Sequence, residues 1–347
     1  MTAPNQDIQP KRNLAARLLQ GLLRLQQRQP HYFLLLLITL VPLLFIRPDI
    51  WLMLTISGAA MGLLIFIMAS GMTLTFGLMS VLNLGHGAFI AVGAYLGAAV
   101  LAFFGGKAAA ASLVANLGAI VPALLAALLV AGALGPVFER LIIRPVYDSH
   151  LKQILVTVGG AIIIEQLIQV IWGASPLPVI RPQGLAGAIV IGDMTIERFR
   201  LLAVVLGLAI YWVMLRVIHH TKVGILIRAG VESTEMVEVL GYRIRLLFMA
   251  VFVVGSALAA FGGVLWGMYQ ELITAQIGAQ LMVLVIVVII IGGLGSVTGC
   301  FFASICVGLL NLYVGYLIPP LAGVAAVGLL VAVLMWRPQG LIPVIRV

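Results

Sequence analysis

Charged side chains are scarce in this sequence, and over long stretches they are missing altogether. Asp, Glu, Lys and Arg make up 9% of the residues, against about 25% in soluble globular chains. Residues 53–106 hold none of them, and residues 246–336 hold only Glu271. That excludes a soluble protein, whose buried helices still need a charged outer face. Cysteine is as rare, with Cys300 and Cys306 the two present. Six residues apart on an apolar helix, they point in different directions. A disulfide framework and a metal-ligand spacing are both excluded, and packing is left as their role. No GxxxxGK[ST] phosphate loop occurs: "GGKA" at 105–108 lacks the early glycine and the final hydroxyl, so this chain does not bind ATP in that manner. No catalytic dyad, triad or metal cluster falls within one layer, and His86 has no acid partner evident in the sequence, which argues against an enzyme.

What is present is apolar. Hydrophobic residues make up 63% of the chain and the mean hydropathy is +1.20, in runs close to the ~20 residues that cross a bilayer. Crossings are expected at 33–47, 53–78, 86–104, 117–138, 153–172, 201–218, 247–268, 281–295, 299–317 and 321–336. The fold class is therefore all-α, a polytopic helical membrane protein. The net charge of +9 then reflects Lys and Arg holding loops in the cytoplasm rather than a nucleic-acid partner.

Three regions follow: a basic cytoplasmic segment 1–32, a transmembrane domain 33–338 and a cytoplasmic tail 339–347. Within the first, Lys11, Arg12, Arg17, Arg24 and Arg28 stand against Asp7. Arg17, Arg24 and Arg28 share one helical face and Leu18, Leu19, Leu22 and Leu23 face away, the pattern of an amphipathic helix on lipid. A signal peptide is disfavoured because "RPDIW" rather than a small-x-small site follows the first apolar run. With an inner N-terminus, the inner loops 139–152 and 219–245 and the tail each carry several Lys or Arg, and the outer loops 105–116 and 269–280 almost none. The outer loop 173–200 departs from this, with Arg181, Arg198 and Arg200 against Asp193 and Glu197.

Small residues spaced for close helix approach recur at Gly58/Gly62, Gly93/Gly97, Gly263/Gly267 and Gly295/Gly299. An inverted structural repeat without visible sequence similarity is compatible with this pattern. Two interruptions stand out, "NLGHG" at 83–87 and "GGLGSVTG" at 292–299. Freed backbone groups must face protein or a watery cavity. The second reads equally as a tight turn or as a broken helix. For the first, Asn83, Gly85, His86 and Gly87 read as lining a solute path. Glu165, with Gln166 and Gln169 nearby, is either a further path residue or a protonated acid bonded to a neighbouring helix. Glu271 reads as a solvated outer residue. His219 and His220, beside Lys222, suit lipid head groups or a partner surface rather than a metal.

In the loop 219–245, residues 229–240 read as a short helix closed by Gly241. Glu232, Glu235 and Glu238 recur every three residues, and Met236, Val239 and Leu240 lie beside them. Such an acidic and apolar helix suits docking into a partner's groove.

Five segments in order, "GMTLTFGLMSVLNLGHGAFIAVGAYLG", "ERLIIRPV", "RAGVESTEMVEVLGYRIRLLFMAVFVVGSALAAFGGVL", "GGLGSVTGCFFASICVGLLN" and "WRPQGLIP", resemble permease subunits of branched-chain amino acid ABC importers, over residues 54–343. The resemblance implies a permease of the bacterial inner membrane that pairs with an identical or homologous permease, recruits two cytoplasmic ATPase subunits and receives solute from a periplasmic binding protein. It implies that residues 229–241 couple to the ATPase and that 83–88 lie near the path. ATP is then bound by the partners and no cofactor by this chain. Many relatives carry an acid after the His-Gly pair where this chain has Ala88, and the basic N-terminal extension is a second departure. The expected solute is a branched-chain amino acid or a related small solute such as urea, an amide or an organic acid. Other classes weighed are a stand-alone secondary transporter using Glu165 as a proton or ion site, and a membrane scaffold.

Overall fold

The computed structural model describes residues 29–79, 83–110, 112–146, 149–192, 194–232, 234–239 and 241–343. The expected amphipathic helix of the basic segment lies, up to residue 28, outside the described residues.

The apolar runs form helices because a backbone in lipid must pair its own polar groups. They are α1 (Pro30–Leu40), α2 (Pro48–Met79), α3 (His86–Phe103), α4 (Leu113–Phe138), α5 (His150–Trp172) and α6 (Arg198–His220). After α7 (Lys222–Glu232) and α8 (Thr234–Val239) follow α9 (Ile244–Gln270), α10 (Ile277–Gly292), α11 (Val297–Leu317) and α12 (Ala322–Trp336). Among the described residues, eight spans are long and apolar enough to cross a membrane, and Pro30–Leu44 and Ile277–Gly292 are shorter apolar helices. The small strands β1 (Leu177–Pro178), β2 (Ala188–Ile191), β3 (Met194–Glu197) and β4 (Leu272–Ile273) form two antiparallel pairs, β1 with β4 and β2 with β3. The helix ends fall into two layers. The proximal side holds α7, α8 and the turns at 139–146; the distal side holds β1 and the β2–β3 pair.

Glycine sets the helix crossings. A Cβ on Gly58 or Gly62 of α2 would strike the α11 backbone at Leu309 or Ser304, and one on Gly93 of α3 would strike Ala260 of α9. Gly71 and Gly255 bring α2 and α9 into backbone contact. The Gly295/Gly299 pair makes its close approaches at the joint between α10 and α11: Gly295 lies in the turn against Gly77 of α2, and Gly299, in the first turn of α11, lies against the Gly292 carbonyl. Gly293 (φ 101°) and Gly295 (φ 81°) adopt left-handed conformations, and the Ser296 hydroxyl accepts from the Gly299 N–H at 3.1 Å to cap α11. Of the two readings of 292–299, the tight turn is the one present, so the eighth span ends at Gly292 rather than 295. The tail seats on it: Leu341 and Ile342 N–H donate to the Ile291 and Gly292 carbonyls at 2.8 and 3.0 Å.

The bundle contains two units of opposite direction. In one, α2 meets α11 and α3 meets α9. In the other, α9 meets α4 and α10 meets α2. The outer helices complete the match, with α5 against α3 and α12 against α10. Exchanging α2 with α9, α3 with α10, α4 with α11 and α5 with α12 carries these contacts onto one another, with Gly71–Gly255 and Gly87–Gly278 joining exchanged helices, the contact pattern of an inverted repeat.

Candidate functional site

Each unit begins with a long helix followed by one that starts inside the bundle. His86 opens α3, and its Nε2 lies 2.9 Å from the Met68 carbonyl. Met68 is eleven residues before the end of α2 (68 to 79), about 16 Å along the axis. A carbonyl only accepts, so Nε2 carries the proton. Asn83 Oδ1 accepts from the Gly85 N–H at 3.0 Å, and the His86 N–H donates to the Asn83 carbonyl at 3.1 Å. Both side chains are buried. Asn83 Oδ1 and His86 Nε2 are thus bonded to the chain's own backbone, and Gly85 is enclosed by Phe138.

Gly87 has another setting. A Cβ there would lie 2.5 Å from the Gly278 carbonyl oxygen, so the first turns of α3 and α10 touch backbone to backbone. Beside this contact opens a cavity of about 240 Å³ between α3, α5 and α10. Gly87, Ala88 and Ala91 form one wall, Gly278, Met282 and Val283 another, and Val158, Ile162 and Glu165 of α5 the third. Glu165 is the one ionisable group on the lining. Its carboxylate has no hydrogen-bond or ion-pair partner among the described residues. Of the residues singled out from the sequence, the structure brings Gly87 and Glu165 together on this cavity and leaves Asn83, Gly85 and His86 off its lining.

On the proximal side, the residues expected as a helix over 229–240 are helical on either side of position 233, in α7 and α8, and the helical stretch begins earlier, at Lys222. Gly230 packs against Leu78 and Ile244, which seats α7 between the ends of α2 and α9. Gly241 takes φ 85°, and its N–H donates to the Glu238 carbonyl at 2.9 Å, a left-handed closure that suits glycine. Val237 is buried and anchors α8, while Met236 and Val239 are 62% and 84% exposed. Glu238 is exposed as well. The side chains of Glu232 and Glu235, and all of Leu240, lie outside the described set.

On the distal side Arg181, Glu197 and Arg200 have a purpose that loop counting missed. The Arg181 guanidinium donates to the Met268 and Tyr269 carbonyls at 2.9 and 3.0 Å, the last turn of α9. It pairs with Glu197 at 3.1 Å and Glu271 at 3.0 Å. Glu197 also holds Arg200 at 3.0 Å, and Arg200 reaches the Ser57 hydroxyl of α2. Glu271 is thus ion-paired as well as half-exposed, and its φ of 60° closes α9. The signal available in the sequence was Glu197 set three residues before Arg200, with Arg181 in the same loop. His219 and His220 are exposed, and among the described residues no three His, Cys, Asp or Glu side chains gather as a metal site.

The family model of the permease component of branched-chain amino acid transport systems matches residues 54–335. The chain is similar to the high-affinity branched-chain amino acid transport system permease protein BraD of Pseudomonas aeruginosa, 25% identical over 300 residues covering 83% of this chain and 94% of that protein. It is similar to LivH of Escherichia coli K12, named as a permease protein of the same kind of system, 25% identical over 297 residues covering 82% and 93%. A probable branched-chain amino acid transport permease protein of Methanocaldococcus jannaschii is 23% identical over 299 residues, covering 80% and 88%. No solved structure matches the chain.

Proposed function

The chain belongs to the permease components of branched-chain amino acid transport systems, and on that footing we propose that it is the membrane passage of an ATP-driven, binding-protein-dependent importer. The cargo is a branched-chain amino acid or a related small solute. The partners are a second permease, two ATPase subunits on the proximal side and a solute-binding protein on the distal side. The proximal side is the cytoplasm, the termini lie there, and the membrane is a bacterial inner membrane. The observation that carries the reading is the surface of α8: Met236 and Val239 stand exposed outside the spans, in a chain whose sequence holds no phosphate-binding loop. A nucleotide-driven partner seated on that surface moves α7 and α8. Because Gly230 touches Leu78 and Ile244, the movement reaches the proximal ends of α2 and α9. Those helices bear α3 and α10, whose first turns border the cavity. Gly87 and Glu165 line the path there, Glu165 facing the cationic end of the solute, and Asn83, Gly85 and His86 fix the start of α3.

The test is uptake into proteoliposomes holding this chain and the subunits that copurify with it. Uptake is expected to need internal ATP and external binding protein. Uptake driven by an ion gradient with this chain alone overturns the proposal.

A further inference from the structure

The cavity stops short of the distal face. Its lining ends at Ala91 on α3, Glu165 on α5 and Ala275 just before α10. Tyr95 is one turn beyond Ala91 on the same face of α3, and Trp172 is two turns beyond Glu165 on the same face of α5. These steps carry the two rings about 6 and 10 Å further towards the distal side. There the rings meet, with centroids 5.5 Å apart. The third wall is covered by β4. Ile273, two residues before Ala275, is buried, and Ile273, Val179 and Ala94 converge on Gly267 of α9.

Strand β1 pairs with β4, Leu177 opposite Ile273 and Pro178 opposite Leu272, so the end of α5 is fastened to the start of α10. The fastening is thin. It is two residue pairs long, and Pro178 has no N–H to give. One further bond runs from the Val179 N–H to the Glu271 carbonyl at 2.9 Å. Between α5 and β1, Gly173 takes φ 93°, and a Cβ there would meet nothing within 4 Å, so the backbone is free to turn at this point. At the other end Arg181 holds the chain to the last turn of α9. The Tyr95 hydroxyl is buried with no hydrogen-bond partner among the described residues, which disfavours the closed arrangement.

We propose that Tyr95, Trp172 and the β1–β4 pair form the distal gate of the cavity, shut in this structure. The gate opens when residues 174–179 swing about Gly173 with Arg181 as the fixed end. That movement draws β1 off β4, parts Trp172 from Tyr95 and lets water reach the Tyr95 hydroxyl. This rests on the reading above that places the cavity on the solute path.

The test reads access to the cavity in the whole transporter, in sealed vesicles with the distal face outward. A membrane-impermeant maleimide is added outside, and its rate of reaction with Ala88→Cys on the cavity wall is followed; Cys300 and Cys306 are buried. Trp172→Ala is expected to raise that rate severalfold, and Trp212→Ala, at an exposed position of α6 off the cavity, to leave it unchanged. The strand pair is then clamped with nickel through Pro178→His and Leu272→His. Nickel is expected to slow the reaction severalfold and a chelator to restore it. The same clamp through Val190→His and Thr195→His, opposite each other in the β2–β3 pair, is expected to have no effect. A rate unmoved by nickel at 178 and 272, or slowed as much at 190 and 195, overturns the proposal, as do equal rates in Trp172→Ala and Trp212→Ala. None of these readouts needs a solute or a nucleotide. Whether added ATP changes the rate scores the importer reading separately, and a gate that answers to nickel but not to ATP counts against that reading alone.

Discussion

Replacing Arg181 with Ala removes the group that ties the distal loop to the end of α9. The side chain is 10% exposed and donates to the Met268 and Tyr269 carbonyls, two of the last-turn acceptors that a helix leaves unpaired. Bonds from a charged donor contribute about 1.5 kcal/mol or more each, so the two contribute about 3 kcal/mol. The ion pairs add little, because Glu197 and Glu271 are 36% and 55% exposed and Glu197 keeps Arg200; exposed pairs contribute roughly 0–1 kcal/mol. At about 2 °C per kcal/mol for a chain of this size, Arg181→Ala is predicted to lower the Tm by roughly 6 °C. Unfolding can be followed with a thiol-reactive dye, since Cys300 and Cys306 are both free and buried. Arg181→Lys keeps the charge but not the fork and is predicted to recover about half of the loss. Arg198 is exposed, with a weak contact to the Gly184 carbonyl at 3.4 Å, so Arg198→Ala is predicted to shift stability by no more than about 0.5 kcal/mol. A Tm for Arg181→Ala equal to that of Arg198→Ala refutes the capping argument.

Three further outcomes are predicted. Gly87→Ala and Gly278→Ala each push a methyl into the facing backbone oxygen and are predicted to destabilise the protein by about 1–3 kcal/mol; yield and Tm in detergent check this, and a Tm at or above the parent's contradicts it. His86→Leu removes the bond to the Met68 carbonyl, with an expected loss of about 1–3 kcal/mol in the same thermal assay. His86→Gln, which retains a donor, is expected to lose less, and equal losses would deny the bond its role. Glu165→Gln keeps the shape of the cavity wall and removes its charge. For a solute bearing an ammonium group the uptake rate at low concentration is predicted to fall about tenfold or more, from roughly 1.5–3 kcal/mol of charged hydrogen bonding, while the amount of assembled complex stays the same; undiminished uptake would remove Glu165 from the path.

The spans were legible because their signal is length and apolarity, and each expected crossing finds an apolar helix within a few residues. Geometry across the bundle was not legible. That Gly71 lies on Gly255 and Gly87 on Gly278 depends on which helices are neighbours, and no local pattern encodes it. The matching contacts of α2–α5 and α9–α12 come without visible sequence similarity, so packing alone discloses them. At 83–87 the residue types announced an interruption, but polar groups that can serve a solute can equally bond a backbone, and the Met68 carbonyl that engages His86 lies eighteen residues back. Arg181 and Arg200 looked like exceptions to a charge rule because that rule counts charges in loops. Their carboxylate and carbonyl partners are fixed by the approach of α9 and α2.

The claim that this chain receives mechanical work through α8 is tested most directly by Met236→Asp combined with Val239→Asp in the reconstituted complex. Both side chains are largely exposed, so the fold is expected to survive, and the thermal assay checks that. ATP hydrolysis stimulated by the loaded binding protein is predicted to fall to the unstimulated rate. Full stimulation in the double variant contradicts the account.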